Sequence, residues 1–158
     1  MALNNLMRFT CSIDLNVTSA KAAVVYSDRR GKKHWIRGLQ SHELLSGEGG
    51  LPEARSRIVI KRGNSVSQLY ETIRFNRLPT EHKALYQSKY AVYIMTTRFI
   101  AIGDSLCRYE CDINYTRYIG LLPKLIMPFL LFRFKKQTLA TMLSFKEYVE
   151  NEKPGLPD

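Results

Sequence analysis

Residues 120–137 read GLLPKLIMPFLLFRFKKQ, and what this segment packs against decides the fold. From Leu121 to Phe134 it is mostly Leu, Ile, Met and Phe, but Pro123, Lys124, Pro128 and Arg133 interrupt the run. A membrane-spanning helix needs about 20 consecutive apolar residues, so this stretch does not read as a span. From Ile126 onward apolar positions recur at Met127, Leu131, Phe134, Thr138, Met142, Phe145 and Val149. That is the spacing of one helical face, with Lys135, Lys136, Lys146 and Glu150 largely elsewhere on the wheel. Proline is tolerated only in a first turn or at a kink, so the main helix is expected to begin near Pro128.

A one-faced helix needs an apolar partner, and the rest of the chain supplies strands. Met7, Phe9, Cys11, Ile13 and Leu15 alternate with Arg8, Thr10, Ser12, Asp14 and Asn16. Cys107, Tyr109, Cys111, Ile113 and Tyr115 alternate in the same way with polar neighbours. Such two-faced strands belong to an antiparallel sheet with solvent on one side. Further strands are expected at Leu39–Ser46, Ala54–Lys61, Val66–Asn76, His82–Tyr90 and Ala91–Ile102, separated by turns such as SGEGGLP, KRGN and GDS. That gives about seven strands joined by short links. A short helix is expected in TSAKAAVVYSD, capped by Thr18 or Ser19. The long helix should lie across the concave side of the sheet, with LLPKLIMPFLLF closing one end. Residues 1–150 are expected to form one domain and residues 151–158 a fraying tail.

The formal net charge is +10, gathered in DRRGKKHWIR, in ARSRIVIKR and around Arg133, Lys135 and Lys136. Charge of this kind favours anionic surfaces, and Arg29, Arg30, Lys32, Lys33 and Arg62 could form one patch facing acidic lipid. Nucleic acid is not expected as a partner, since no nucleic-acid motif accompanies the charge. Cys11, Cys107 and Cys111 form no CxxC pair, and His34, His42 and His82 match no metal spacing. No metal and no cofactor are expected. The N-terminal MALNNLMRFTCSIDL carries Asn4, Asn5 and Arg8 where a signal peptide needs an apolar block, and a cytoplasmic location is expected. Nothing in the sequence chooses between monomer and homodimer. No GxSxG elbow and no phosphate-binding glycine loop occurs.

The order of these elements resembles the START-like, or SRPBCC, superfamily, which includes polyketide cyclase/dehydrase-type proteins, lipid-transfer proteins and relatives of the birch-pollen allergen. The resemblance runs from about Phe9 to Glu150 and rests on order and spacing. It is carried by FTCSIDLNVTSAKAAVVYSD, by the interval from Asp28 to Trp35, by SHELLSGEGGLPEARSRI, by LYETIRFNRLP and by FKKQTLATMLSFKEYVE. It implies an α+β helix-grip fold, an antiparallel sheet of about seven strands wrapped round a long C-terminal helix and enclosing an apolar cavity. Two features depart from the family pattern. NVTSA stands where proline is often found after the first strand. Lys89 and Tyr90 stand where glycine is often found near the fifth-to-sixth strand junction, which implies a narrower pocket.

Glu71 is the residue of most chemical interest. In SVSQLYETIRF it shares a strand face with Leu69 and Ile73, which puts a carboxylate among apolar side chains. If that face is inside, desolvation should raise its pKa and fit it for acid–base work. If Tyr70, Thr72 and Arg74 face inward instead, Glu71 lies at a rim or pairs with a cation such as Arg57. Tyr86, Tyr93 and Tyr109 could present hydroxyls to a ligand or simply pack. Trp35 stands at a cavity mouth or as a structural plug. Phe134, Thr138 and Met142 should face the sheet from the helix. The expected function is binding of a hydrophobic small molecule (a lipid, isoprenoid or polyketide-like compound) between sheet and helix, as carrier or sensor. The alternative is a cyclase, aromatase or hydratase using Glu71 with a tyrosine.

Overall fold

The computed structural model describes residues 7–152, apart from the side chains of Pro123, Lys124 and Met127. The chain opens with β1 (Arg8–Leu15), α1 (Ser19–Ser27), the four-residue α2 (Lys32–Trp35) and β2 (Leu39–Ser46). A run of antiparallel strands follows: β3 (Arg55–Arg62), β4 (Ser65–Arg77), β5 (Glu81–Gln87), β6 (Ala91–Gly103) and β7 (Leu106–Tyr118). The chain then enters α3 (Leu121–Asn151).

All seven strands form one sheet in the order β1-β7-β6-β5-β4-β3-β2. The two edge strands, β1 and β2, are consecutive in sequence, and α1 and α2 connect them. Thr18 caps α1 by accepting the Lys21 N–H at 3.1 Å, satisfying a donor that the first turn leaves free. Register shifts in β2, in β4 between Ile73 and Phe75, and in β6 between Val92 and Tyr93 mark irregular positions where strands bend.

The core lies between the sheet and α3, which packs on β1 and β7 and against both short helices. Phe145, Val149 and Met142 on α3 are fully buried. Around them Tyr26, Trp35, Phe99 and Tyr109 make a cluster of offset and edge-on rings, the geometry that ring quadrupoles favour. On the outer face the charged residues pair among themselves, as Arg98 does with Glu81 and Glu110 and Arg8 with Asp112. The alternation expected for β1 and β7 thus appears as one dry and one charged face.

Several expectations need correction. Helix α3 starts at Leu121, not near Pro128, which lies inside it. Pro123 is the third helical residue, where the amide has no helical partner anyway, so only Pro128 removes a hydrogen bond. LLPKLIMPFLLF is therefore helical, and it covers the core with one side only. Strand β5 ends at Gln87 and not at Tyr90, because the Ser88 hydroxyl accepts the N–H groups of Tyr90 and Ala91 and closes a turn. Lys89 and Tyr90 are exposed there and do not narrow the interior. The tail expected over 151–158 falls, beyond Glu152, outside the described residues.

Candidate functional site

The antiparallel register places one row of side chains across the inner face. Ser56 stands opposite Glu71, Glu71 opposite Tyr86, Tyr86 opposite Tyr93, and Tyr93 opposite Tyr115. Side chains at directly opposed positions share a face and touch. Glu71 is therefore an inner residue, 5% exposed, and Arg57 turns away to pair with Glu43 at 2.6 Å.

A buried carboxylate needs compensation, and three groups provide it. The Tyr86 hydroxyl donates to Glu71 Oε2 at 2.5 Å. His42 Nε2 lies 3.5 Å from Glu71 Oε1, at ion-pair distance but without hydrogen-bond geometry. Lys32, half-buried on α2 with its Nζ 5.9 Å from the Tyr26 ring centre, adds a positive charge from the helical side. Burial pulls the Glu71 carboxyl upward, but His42, Lys32 and Tyr86 outweigh it and hold it down to about 2. The rise expected from desolvation alone is thus reversed, because the chain brings the Lys32 ammonium, an imidazole and a donor hydroxyl to the carboxylate. Burial likewise lowers the Lys32 ammonium, which Glu71 partly restores. Burial pushes the Tyr86 hydroxyl well above its usual range, and the charge of Glu71 adds to that rise. The resting state is an ionised carboxylate held by a protonated tyrosine.

Lys32 is consequently not part of an exposed basic patch. It faces inward, and Arg29 is also engaged, donating to the His42 carbonyl at 2.8 Å.

His82 joins the site from β5, edge-on to Tyr26 at 6.0 Å. Burial lowers its pKa, although Glu71 acts in the opposite sense. Tyr26 itself shares a hydrogen bond with the buried Thr97 hydroxyl at 3.2 Å. His42 Nδ1, His82 Nδ1 and Trp35 Nε1 are buried without a hydrogen-bond partner. Unpaired buried polar atoms are costly.

The candidate residues separate into two groups. Glu71, Tyr86 and Tyr93 come together, the two rings stacked at 5.3 Å, and Leu69 packs beside them with Ile58 and Ala84. Ile73 is buried at the next inner position of β4. Trp35, Tyr109 and Met142 instead lie in the ring cluster, where Trp35 stacks on Tyr26 at 5.6 Å and meets Phe145 at 4.9 Å. Its placement is that of a plug. Phe134 and Thr138 are half-buried on α3, and Phe134 lies 6.2 Å from the Tyr115 ring. Reading the sequence alone misses Lys32, His42, His82, Tyr26 and Thr97.

Leu39, Ile60, Leu69, Tyr93 and Met95 pack in the second apolar cluster but stay only half-buried. Near them a recess of about 350 Å³ opens between α3, the α2–β2 connection and the end of β3, lined by Arg37, Gly38, Lys61, Arg62, Gln137, Ala140 and Thr141. Gly38 is required here. Its φ is +79°, and a Cβ would lie 2.0 Å from the Lys61 carbonyl oxygen. A larger groove of about 500 Å³ runs outside, along His34, Tyr148 and Asn151.

No family model and no curated protein sequence matches the chain. Solved structures do match in fold. The Zhui aromatase/cyclase from Streptomyces sp. R1128 aligns with a TM-score of 0.78 at 10% identity, over 92% of this chain and 94% of that one. Norcoclaurine synthase from Thalictrum flavum, in complex with dopamine and hydroxybenzaldehyde, aligns at 0.70 and 13% identity, over 98% and 95%. Ara h 8.0201 aligns at 0.69 and 18% identity, over 93% and 99%. The chain shares with these structures the α+β helix-grip fold, a seven-stranded antiparallel sheet with a long C-terminal helix, that its order of elements leads one to expect.

Proposed function

We propose that this protein binds a hydrophobic small molecule in the recess between sheet and α3, as a carrier or sensor, with the Glu71 cluster anchoring a polar end of the ligand. The observation that carries this reading is the ionised Glu71, set among half-buried apolar residues and beside the His42 imidazole, whose Nδ1 is buried without a partner. An apolar body would bury surface at roughly 25 cal/mol per Å², and a hydroxyl or carbonyl oxygen would meet the imidazole. The solved proteins of this fold include an aromatase/cyclase and a synthase bound to small aromatic molecules, which supports a small-molecule ligand of this size class. Three buried free cysteines, with Cys11 and Cys111 on paired positions of β1 and β7, suit a reducing compartment such as the cytoplasm.

The acid–base alternative fits this geometry less well. A carboxylate held near 2 is a weak proton acceptor at neutral pH, and Tyr86 is a reluctant donor. The test compares 2-naphthol with 2-methylnaphthalene by native mass spectrometry and calorimetry. The hydroxylated ring should bind more tightly, and Glu71→Gln should erase the preference. Absence of binding by both molecules, and of any copurified lipophile, would remove the reading.

A further inference from the structure

We propose that the N-terminal half of α3 docks on an anionic lipid surface. Leu121, Leu125, Phe129 and Phe132 recur at helical spacing on its outer side, with Leu122 beside them, and all are exposed. Phe129 and Phe132 are 83% and 78% exposed. On the inner side of the same turns Leu130, Leu131 and Phe134 pack on the core. The segment is therefore apolar on both sides, and the fold uses only one of them. Large exposed apolar patches of this kind mark contact surfaces.

Charge decides what the partner is. From Ile113 to Lys146 the sequence contains no Asp or Glu, while Arg117, Lys124, Arg133, Lys135, Lys136 and Lys146 are basic. Arg133, Lys135 and Lys136 follow Phe132 directly and are exposed, and Lys136 continues the apolar stripe one turn on. At the other end, the Ile119 N–H donates to the Tyr90 carbonyl at 2.8 Å, which ties the β5–β6 turn to the start of α3. Tyr90 is exposed there, with the Lys89 ammonium 4.8 Å over its ring.

Protruding Leu and Phe, a Tyr at the rim and flanking Lys and Arg are the composition that seats a helix in the headgroup region of an acidic leaflet. A second copy would bring the same cations against themselves in a symmetric pair, within a chain of formal net charge +10. The surface is distinct from the basic α1–α2 region, where Lys32 at the start of α2 faces inward. It needs no ligand in the recess.

The test is sedimentation of the full chain with vesicles of phosphatidylcholine containing 30% phosphatidylserine, against phosphatidylcholine alone. The expected result is binding that requires phosphatidylserine and weakens with added salt. Phe129→Asp with Phe132→Asp should reduce it at least tenfold, and Lys135→Gln with Lys136→Gln should reduce it on acidic vesicles. Circular dichroism checks that the variants fold, and naphthol binding that the recess is intact. No binding to acidic vesicles, or equal binding by the Asp variant, would overturn the proposal. So would a stable dimer in solution that the Asp variant dissociates, or capture of an acidic protein in place of lipid.

Discussion

The Tyr86 hydroxyl and the Glu71 carboxylate stand directly opposite each other on β5 and β4, joined by a hydrogen bond of 2.5 Å inside the sheet. The pairing is a property of strand register, so neither residue needs a loop to find the other. Removing the hydroxyl leaves a buried carboxylate oxygen without its donor. Tyr86→Phe should destabilise the fold by about 1–3 kcal/mol and raise the pKa of Glu71. Urea unfolding and carboxyl NMR titration would measure the two effects.

Acid should weaken the protein in two steps. The pKa of His82 is lowered below its ordinary 6.5 by burial, so the unfolded chain takes up this proton more readily. Stability is present above about pH 6.5 and is lost as pH falls through and below that value. Glu71, at about 2 against an ordinary 4.5, contributes stability above about 4.5 that is lost as pH falls toward 2. Urea midpoints at pH 8, 5.5 and 3 should decline in turn. Glu71→Gln should shrink the lower step, to which Asp112 also contributes through its pairing with Arg8, and keep the upper one; an unchanged lower step would refute the assignment.

Gly38 holds the rim of the recess, where its carbonyl accepts the Lys61 N–H at 2.8 Å. Gly38→Ala adds left-handed strain of about 1–2 kcal/mol and forces the Lys61 carbonyl away. The melting temperature should fall by several degrees, and ligand affinity should change with it.

Ala140 is exposed on α3 and lines the same recess. Ala140→Trp should obstruct the opening without disturbing the buried face of the helix. Naphthol affinity should drop roughly tenfold, about 1.4 kcal/mol, while thermal stability stays within a degree or two. Undiminished affinity would place the ligand elsewhere.

Much of the fold is legible in the sequence because a half-buried strand writes its orientation in every second residue. Leu69, Glu71 and Ile73 are inner residues for that reason, and so are His82, Ala84 and Tyr86. His42 escapes the rule. A register shift between Leu39 and Ser41 changes the phase, so that Leu39, His42 and Leu44 are the less exposed positions. Lys32 escapes for another reason. It stands in a basic run, DRRGKK, where nothing local distinguishes the one cation that turns inward. The start of α3 is hidden because its first turns are apolar on both sides and contain prolines. Periodicity reports a face only when the opposite face is polar.

Lys32 and Trp35 share the four-residue helix that bridges the two sheet edges, and Trp35 is the only tryptophan in the chain. The Lys32 ammonium lies 5.9 Å from the Tyr26 ring on which the indole stacks, so a molecule that displaces it changes the charge beside that stack. The intrinsic emission of this protein should therefore act as a built-in gauge of events at the charged cluster, readable without a label.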